Sequence, residues 1–215
     1  MTERDPIVTP HEQAVPNLAL THGQVIQLMS ELGLRQGVSA TTFNYYIKSL
    51  RKLGIPFEKG KGQSEGHRHI TYDFEELMEL AMTLLLRVYG TLPDPVVAGI
   101  RGCRSELRPI FRRAYFDRSK RAYPAARISA PRRRPMILEG VFVDLNIRYA
   151  AGRMVEFGPP RALSPFEALG LYARSGLPAR SYMPLNLSCL ADQIIERGRA
   201  LPPIRRGRGK RSMSP

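Results

Sequence analysis

Between Ser39 and Gly54 the apolar residues Phe43, Ile47, Leu50 and Leu53 recur at spacings of four and three. That period gathers them on one side of a helix. Ser39 is placed to cap its start. Gly54 is placed to end it in the left-handed conformation that glycine adopts without steric cost. The other side carries Thr41, Thr42, Tyr45 and Lys48, with Asn44 near the border and Tyr46 beside Tyr45. A helix with so apolar a face has to bury it, which leaves the polar face to meet solvent or a ligand.

The flanking segments are read for the elements that would cover that face. Upstream, "HGQVIQLMSELG" places Val25, Leu28, Met29 and Leu32 on one helical side, with Thr21 as N-cap and Gly33 as terminator. Downstream the period changes. "IPFEKGKGQSEGHRHITY" holds two β-prone runs, 55–59 and 67–72, around a glycine-rich polar stretch, and this predicts a hairpin. Asp73 and Glu76 have capping-box spacing ahead of a helix bearing Leu77, Leu80, Ala81, Leu84, Leu85 and Val88. Helix, turn, helix, hairpin, helix is the order of a winged helix-turn-helix over residues 21–89.

The expected fold class is therefore α+β: this N-terminal unit, a helical connector over 90–116, and a small C-terminal hairpin-and-helix unit over 136–200. In the connector Asp94-Pro95 suits an N-cap and first helical position. Val96, Ile100, Cys103, Leu107, Ile110, Phe111 and Ala114 share a side, and Pro109 is expected to kink or divide the helix. Residues 1–20 read as a disordered lead-in, 117–135 as an Arg/Pro-rich linker and 201–215 as a basic tail. In the C-terminal unit, alternation through Val141, Val143, Leu145, Ile147 and Tyr149 predicts a strand that turns at Ala150–Gly152 into a second one. Ser164, Pro165 and Glu167 open a helix, and a last helix spans about 188–199. Because a lone hairpin is marginal in water, this unit is expected to pack on the 94–116 helix, pair with a second subunit or dock a partner.

Charge narrows the partners. The chain of 215 residues is 43% hydrophobic, enough for a core, and carries 33 Lys+Arg against 19 Asp+Glu, a net +14. The excess is uneven: +9 falls in residues 90–135 and +5 in 201–215. Such blocks attract polyanions, nucleic acid first among them in a cytosol. The arginine runs have no apolar face beside them to insert into a bilayer, and no apolar run nears the ~20 residues needed to span one. Cys103 and Cys189 are far apart and outside any CxxC or CxxH setting, as expected of a reducing compartment.

At this point residues 21–89 resemble the DNA-binding domain of MerR-type transcription regulators. That family shows a "GVS..TLRYY" recognition helix, a "GYR.Y" wing and a "D...L" helix. The corresponding segments are "GVSATTFNYY" at 37–46, "GHRHITY" at 66–72 and "DFEELMEL" at 73–80. Asn44 stands where the family has arginine, and the connector "LGLRQGVS" is longer than the family's turn. The resemblance implies a dimer on double-stranded DNA, paired through helices after the wing, for which Leu80, Leu84, Ile100 and Leu107 are the candidate residues. It also implies phosphate contact by Arg68.

The residues themselves point the same way. Ser39, Thr41, Thr42 and Asn44 lie near the helix start, where hydroxyls and an amide can reach base edges. Lys48, the hydroxyls of Tyr45 and Tyr46, and Lys59, Lys61 and His67 in the wing suit phosphates.

No other chemistry has its residues. His67 and His69 alternate on one strand face without cysteines or carboxylates to complete a metal site. "RRGRGKRS" lacks the spacing and preceding strand of a phosphate loop. No catalytic set or cofactor motif is recognisable. The expected function is that of a cytoplasmic, nucleoid-associated transcription regulator, with an excisionase-like DNA-bending accessory as the alternative. Residues 136–200 would be available to the transcription machinery.

Overall fold

A computed structural model describes residues 15–57, 70–88, 94–120, 141–145, 147–150, 153–174 and 185–202. Within them the chain is a mostly helical α+β protein. Strand β1 (Leu20–Thr21) runs straight into α1 (His22–Glu31). The Gln24 amide oxygen accepts from the Thr21 backbone N–H at 3.0 Å and closes the first turn. The lead-in expected over 1–20 is ordered at its end. Leu18 and Leu20 are buried, because Leu20 pairs with Tyr72 and Leu18 packs beside Gly198.

Helix α2 (Ala40–Lys52) starts where expected, the Ser39 hydroxyl accepting from the Thr42 N–H at 3.1 Å. Phe43, Ile47 and Leu50 are buried, but Leu53 is 38% exposed. The chain turns at Gly54 (φ +90°), and Ile55 enters the core in its place, its N–H bonded to the Leu50 carbonyl at 3.0 Å. Strand β2 (Thr71–Tyr72) pairs antiparallel with β1. It does not pair with 55–57, which form no strand; the rest of the expected hairpin, 58–69, lies outside the described residues. Helix α3 (Phe74–Val88) opens on the expected box: Glu76 N–H to Asp73 at 2.8 Å and Asp73 N–H to Glu76 at 2.9 Å.

The connector divides earlier than Pro109. Helix α4 (Asp94–Gly102) ends before Cys103, and α5 (Arg104–Lys120) keeps Pro109 inside it, on the exposed side. Gly102 weakens the helix at that point, and the break turns Arg104 inward beside Glu79. Helix α5 also runs into the stretch expected to be linker; residues 121–135 lie outside the described part.

The alternating run after 141 does not make one strand. Strand β3 (Phe142–Asp144) is separated from β4 (Ile147–Ala150), which forms a hairpin with β5 (Arg153–Phe157). β3 is instead the centre of a three-stranded antiparallel sheet between β6 (Arg161–Leu163) and β7 (Leu185–Asn186). Between those two lies α6 (Pro165–Arg174), opened by the Ser164–Glu167 box. Helix α7 (Leu187–Ala200) packs on α1, α3 and α5. One buried cluster runs from Leu18 through Phe43, Leu80 and Phe111 to Ile195. The C-terminal strands and helix thus complete the core of the N-terminal helices, the first of the three outcomes expected for them.

Candidate nucleic-acid interface

The buried stripe of α2 fixes which side chains it presents outward. Thr41, Tyr45, Lys48 and Lys52 are exposed and follow one another along one side, Tyr45 at 65%. Ser39 is also exposed, though its hydroxyl is committed to the helix cap and contacts the Thr42 hydroxyl at 2.8 Å. Tyr46 is half-buried beneath the Arg87 guanidinium, which lies 3.0 Å from its ring centroid. Of the two tyrosines, one packs and one projects. No carboxylate occurs in α2, while Lys48, Arg51 and Lys52 do.

Asn44 does not project freely. Its side-chain oxygen is 3.2 Å from His22 Nε2, and His22 Nδ1 is 3.1 Å from the Tyr72 hydroxyl. A bidentate grip on adenine would need that oxygen, so in this conformation Asn44 ties α2 to α1 and β2. Burial holds the His22 imidazole below its ordinary value of 6.5; Arg51 and Lys48 push the same way, and the Asn44 contact opposes them. Burial also pushes the Tyr72 phenol up to about 12.

The sign for His22 is therefore a fold that binds its proton less readily than the unfolded chain. Its stabilising share is complete above pH 6.5 and is lost as pH falls through the lowered value. His22→Gln should accordingly show a smaller drop in urea midpoint between about pH 7.5 and about pH 5.5 than the unaltered chain. Equal drops would show that His22 contributes nothing to the acid sensitivity.

Three further contributions lie outside the residues expected to form the site. Lys52 extends the Thr41, Tyr45, Lys48 series and was legible by spacing alone. Arg35, in the connector, is exposed and held by its Nε to the Val38 carbonyl at 2.6 Å. The third comes from far along the chain. Arg101 donates to the Leu53 carbonyl at 3.0 Å, and Arg104 donates to that of Gly54. Two cations thus face the C-terminal end of α2, where the helix dipole favours them.

Lys59, Lys61, His67 and Arg68 lie outside the described residues. The expected pairing face is corrected: Leu80, Leu84, Ile100 and Leu107 are at most 1% exposed within this one chain. They pack into its own core and present nothing to a second copy. Cys103 is half-buried, its thiol pushed up by burial and by Glu106, and Cys189 is exposed. No group of three or more His, Cys, Asp or Glu among the described residues could hold a metal ion. No described helix is long and apolar enough to cross a membrane. Comparisons with protein-family models, with curated proteins and with solved structures return no match for this chain.

Proposed function

We propose that the chain binds double-stranded DNA through the exposed side of α2 and acts as a sequence-specific transcription regulator of winged helix-turn-helix type. The observation that carries this reading is the carboxylate-free strip of Thr41, Tyr45, Lys48 and Lys52 on a helix whose other side is buried. Hydroxyls and rings along such a strip can meet base edges and sugars while the lysines take phosphates. Asn44 acts in this reading by orienting the helix.

A second reading has its own support. With Leu80, Leu84, Ile100 and Leu107 buried, a dimer needs another face, and the large apolar groups exposed nearest the C-terminal sheet are Phe166 and Leu169 of α6, 68% and 51% exposed. A chain that binds as single copies, side by side on bent duplex, suits a DNA-architectural accessory protein instead.

Selection of fragmented genomic DNA on the purified full chain tests both. Recovery of fragments sharing a two-fold motif is the regulator's result, and phased direct repeats are the accessory's. Featureless recovery contradicts base reading by α2. On any recovered duplex, Lys48→Ala should make the plot of log K against log salt concentration shallower by about one unit, with sequence preference intact. An unchanged slope removes Lys48 from the phosphate contacts.

A further inference from the structure

The hydrogen bonds around Asn44 have a direction, and one buried hydroxyl sets it. Tyr72 is fully buried, so its O–H needs an acceptor within the protein. The hydroxyl meets two groups, the Arg51 guanidinium and, at 3.1 Å, His22 Nδ1. A guanidinium only donates, so it bonds to a lone pair of the phenolic oxygen. The Tyr72 hydrogen is left for His22 Nδ1, which therefore accepts. Burial keeps His22 neutral near neutral pH, and a neutral imidazole that accepts at Nδ1 carries its hydrogen on Nε2. His22 Nε2 lies 3.2 Å from the Asn44 amide, and a donor there selects the amide oxygen over the nitrogen. Arg51, Tyr72, His22 and Asn44 thus form a relay in which each donates to the next.

The other end of the amide is what remains. Asn44 Nδ2 has no bonding partner among the described residues and is open to solvent. Asn44 follows Thr41 by three residues and precedes Lys48 by four, so it borders the exposed strip of α2.

We infer that Asn44 is a donor-only reader of bases, held so by Tyr72 and His22, and that it selects guanine at one position of the bound duplex. The inference rests on the DNA-binding reading above and names the base edge that the helix takes. Guanine offers two adjacent acceptors, O6 and N7, in the major groove, with no donor to oppose an NH2 group. Adenine sets its own amino group beside N7, and cytosine presents an amino group alone. A bidentate grip on adenine needs the amide oxygen and nitrogen together, and here His22 occupies the oxygen. Tyr72 and His22 are positioning residues, acting through Asn44.

Nitrogen NMR of His22 in the full chain tests the relay without DNA. At neutral pH a hydrogen on Nε2 is expected, and a hydrogen on Nδ1 overturns the inference. Selection of random duplexes by the full chain, Asn44→Asp, Asn44→Ala and His22→Phe then tests the reading. Asn44→Asp keeps an oxygen for His22 and exchanges the outward donor for an acceptor of nearly the same shape. One guanine position should change to cytosine, whose amino group a carboxylate accepts, with a discrimination of about fivefold or more. His22→Phe releases the amide, and the same position should then admit adenine. Asn44→Ala, which adds no charge, should lose preference at that position alone. Guanine retained in Asn44→Asp, or a loss in Asn44→Ala that is uniform across all sequences, overturns the inference and leaves the α2 reading standing. So does adenine selected there by the unaltered chain. Selection without any shared sequence by the unaltered chain overturns the DNA-reading proposal, and this inference with it.

Discussion

Arg104→Ala is expected to destabilise the fold by about 3–5 kcal/mol, read as a lower urea midpoint at an unchanged m-value. The guanidinium is almost wholly inside: the Arg104 and Glu79 side chains are 8% and 3% exposed. Nε meets one carboxylate oxygen of Glu79 at 2.8 Å and Nη2 the other at 2.7 Å. Nη2 also serves the Gly54 carbonyl at the end of α2. Burial pushes the Glu79 carboxyl up from its ordinary value, and Arg104 is the main force against that. Alanine would strand a carboxylate in the core and take a donor from Gly54.

The pH dependence gives the mechanism a signature. Without Arg104 the Glu79 carboxyl rises further, so in the variant it is stable while protonated and costly once ionised. The deficit relative to the unaltered chain should shrink toward acid and grow as pH rises through the raised value. Arg104→Met with Glu79→Leu should recover part of the loss, since apolar replacements of a buried pair are often tolerated. Recovery stays partial because the Gly54 carbonyl still loses its Arg104 donor. By contrast, Arg108 and Arg112, which pair with Glu75, are 37% and 44% exposed, and alanine at either should cost about 0–1 kcal/mol. A loss below about 1 kcal/mol at Arg104 would mean that the pair contributes no more than a surface one.

That pair also marks the limit of what local pattern reveals. Thr21, Ser39, Asp73 with Glu76, and Ser164 with Glu167 all sit at the helix starts read for them, because a cap is satisfied within three residues of itself. The buried stripe of α2 was equally legible, and with it the exposed side that carries the proposed site. What periodicity could not supply was the partner of each surface. Strand β2 finds β1 fifty residues upstream, although 55–57 lie closer in sequence. The alternation after 141 is continuous as a pattern but serves two sheets, because Val143 pairs on both sides while Ile147 pairs with Phe157. Leu80, Leu84, Ile100 and Leu107 are correctly apolar, and apolarity alone does not distinguish a core from a pairing face. Here α7, contributed by the last described segment, decides for the core.

Gly99→Ala is the second large effect, and its sign is diagnostic. In a solvent-facing helix the change would stabilise by about 0.8–1.0 kcal/mol, because alanine is the better helix former. In α4 the added Cβ would press on the Cγ end of the Phe157 ring, meeting Cγ and both Cδ atoms well within van der Waals distance. Those atoms are the root of the ring, so a ring flip does not clear them; either Phe157 leaves or α4 moves. Overpacking of this kind costs about 1–3 kcal/mol, and a net loss is expected. Phe157→Ala in the Gly99→Ala background should then cost less than Phe157→Ala alone, a coupling that a double-mutant cycle measures directly. If Gly99→Ala stabilises, the β4–β5 hairpin does not press on α4. If it destabilises with the expected coupling, the consequence reaches the proposed site. α4 carries Arg101, which holds the Leu53 carbonyl, and its end leads into Arg104, which holds that of Gly54. A displaced α4 would therefore loosen the C-terminal end of α2, and duplex affinity should fall in Gly99→Ala and return in part with Phe157→Ala.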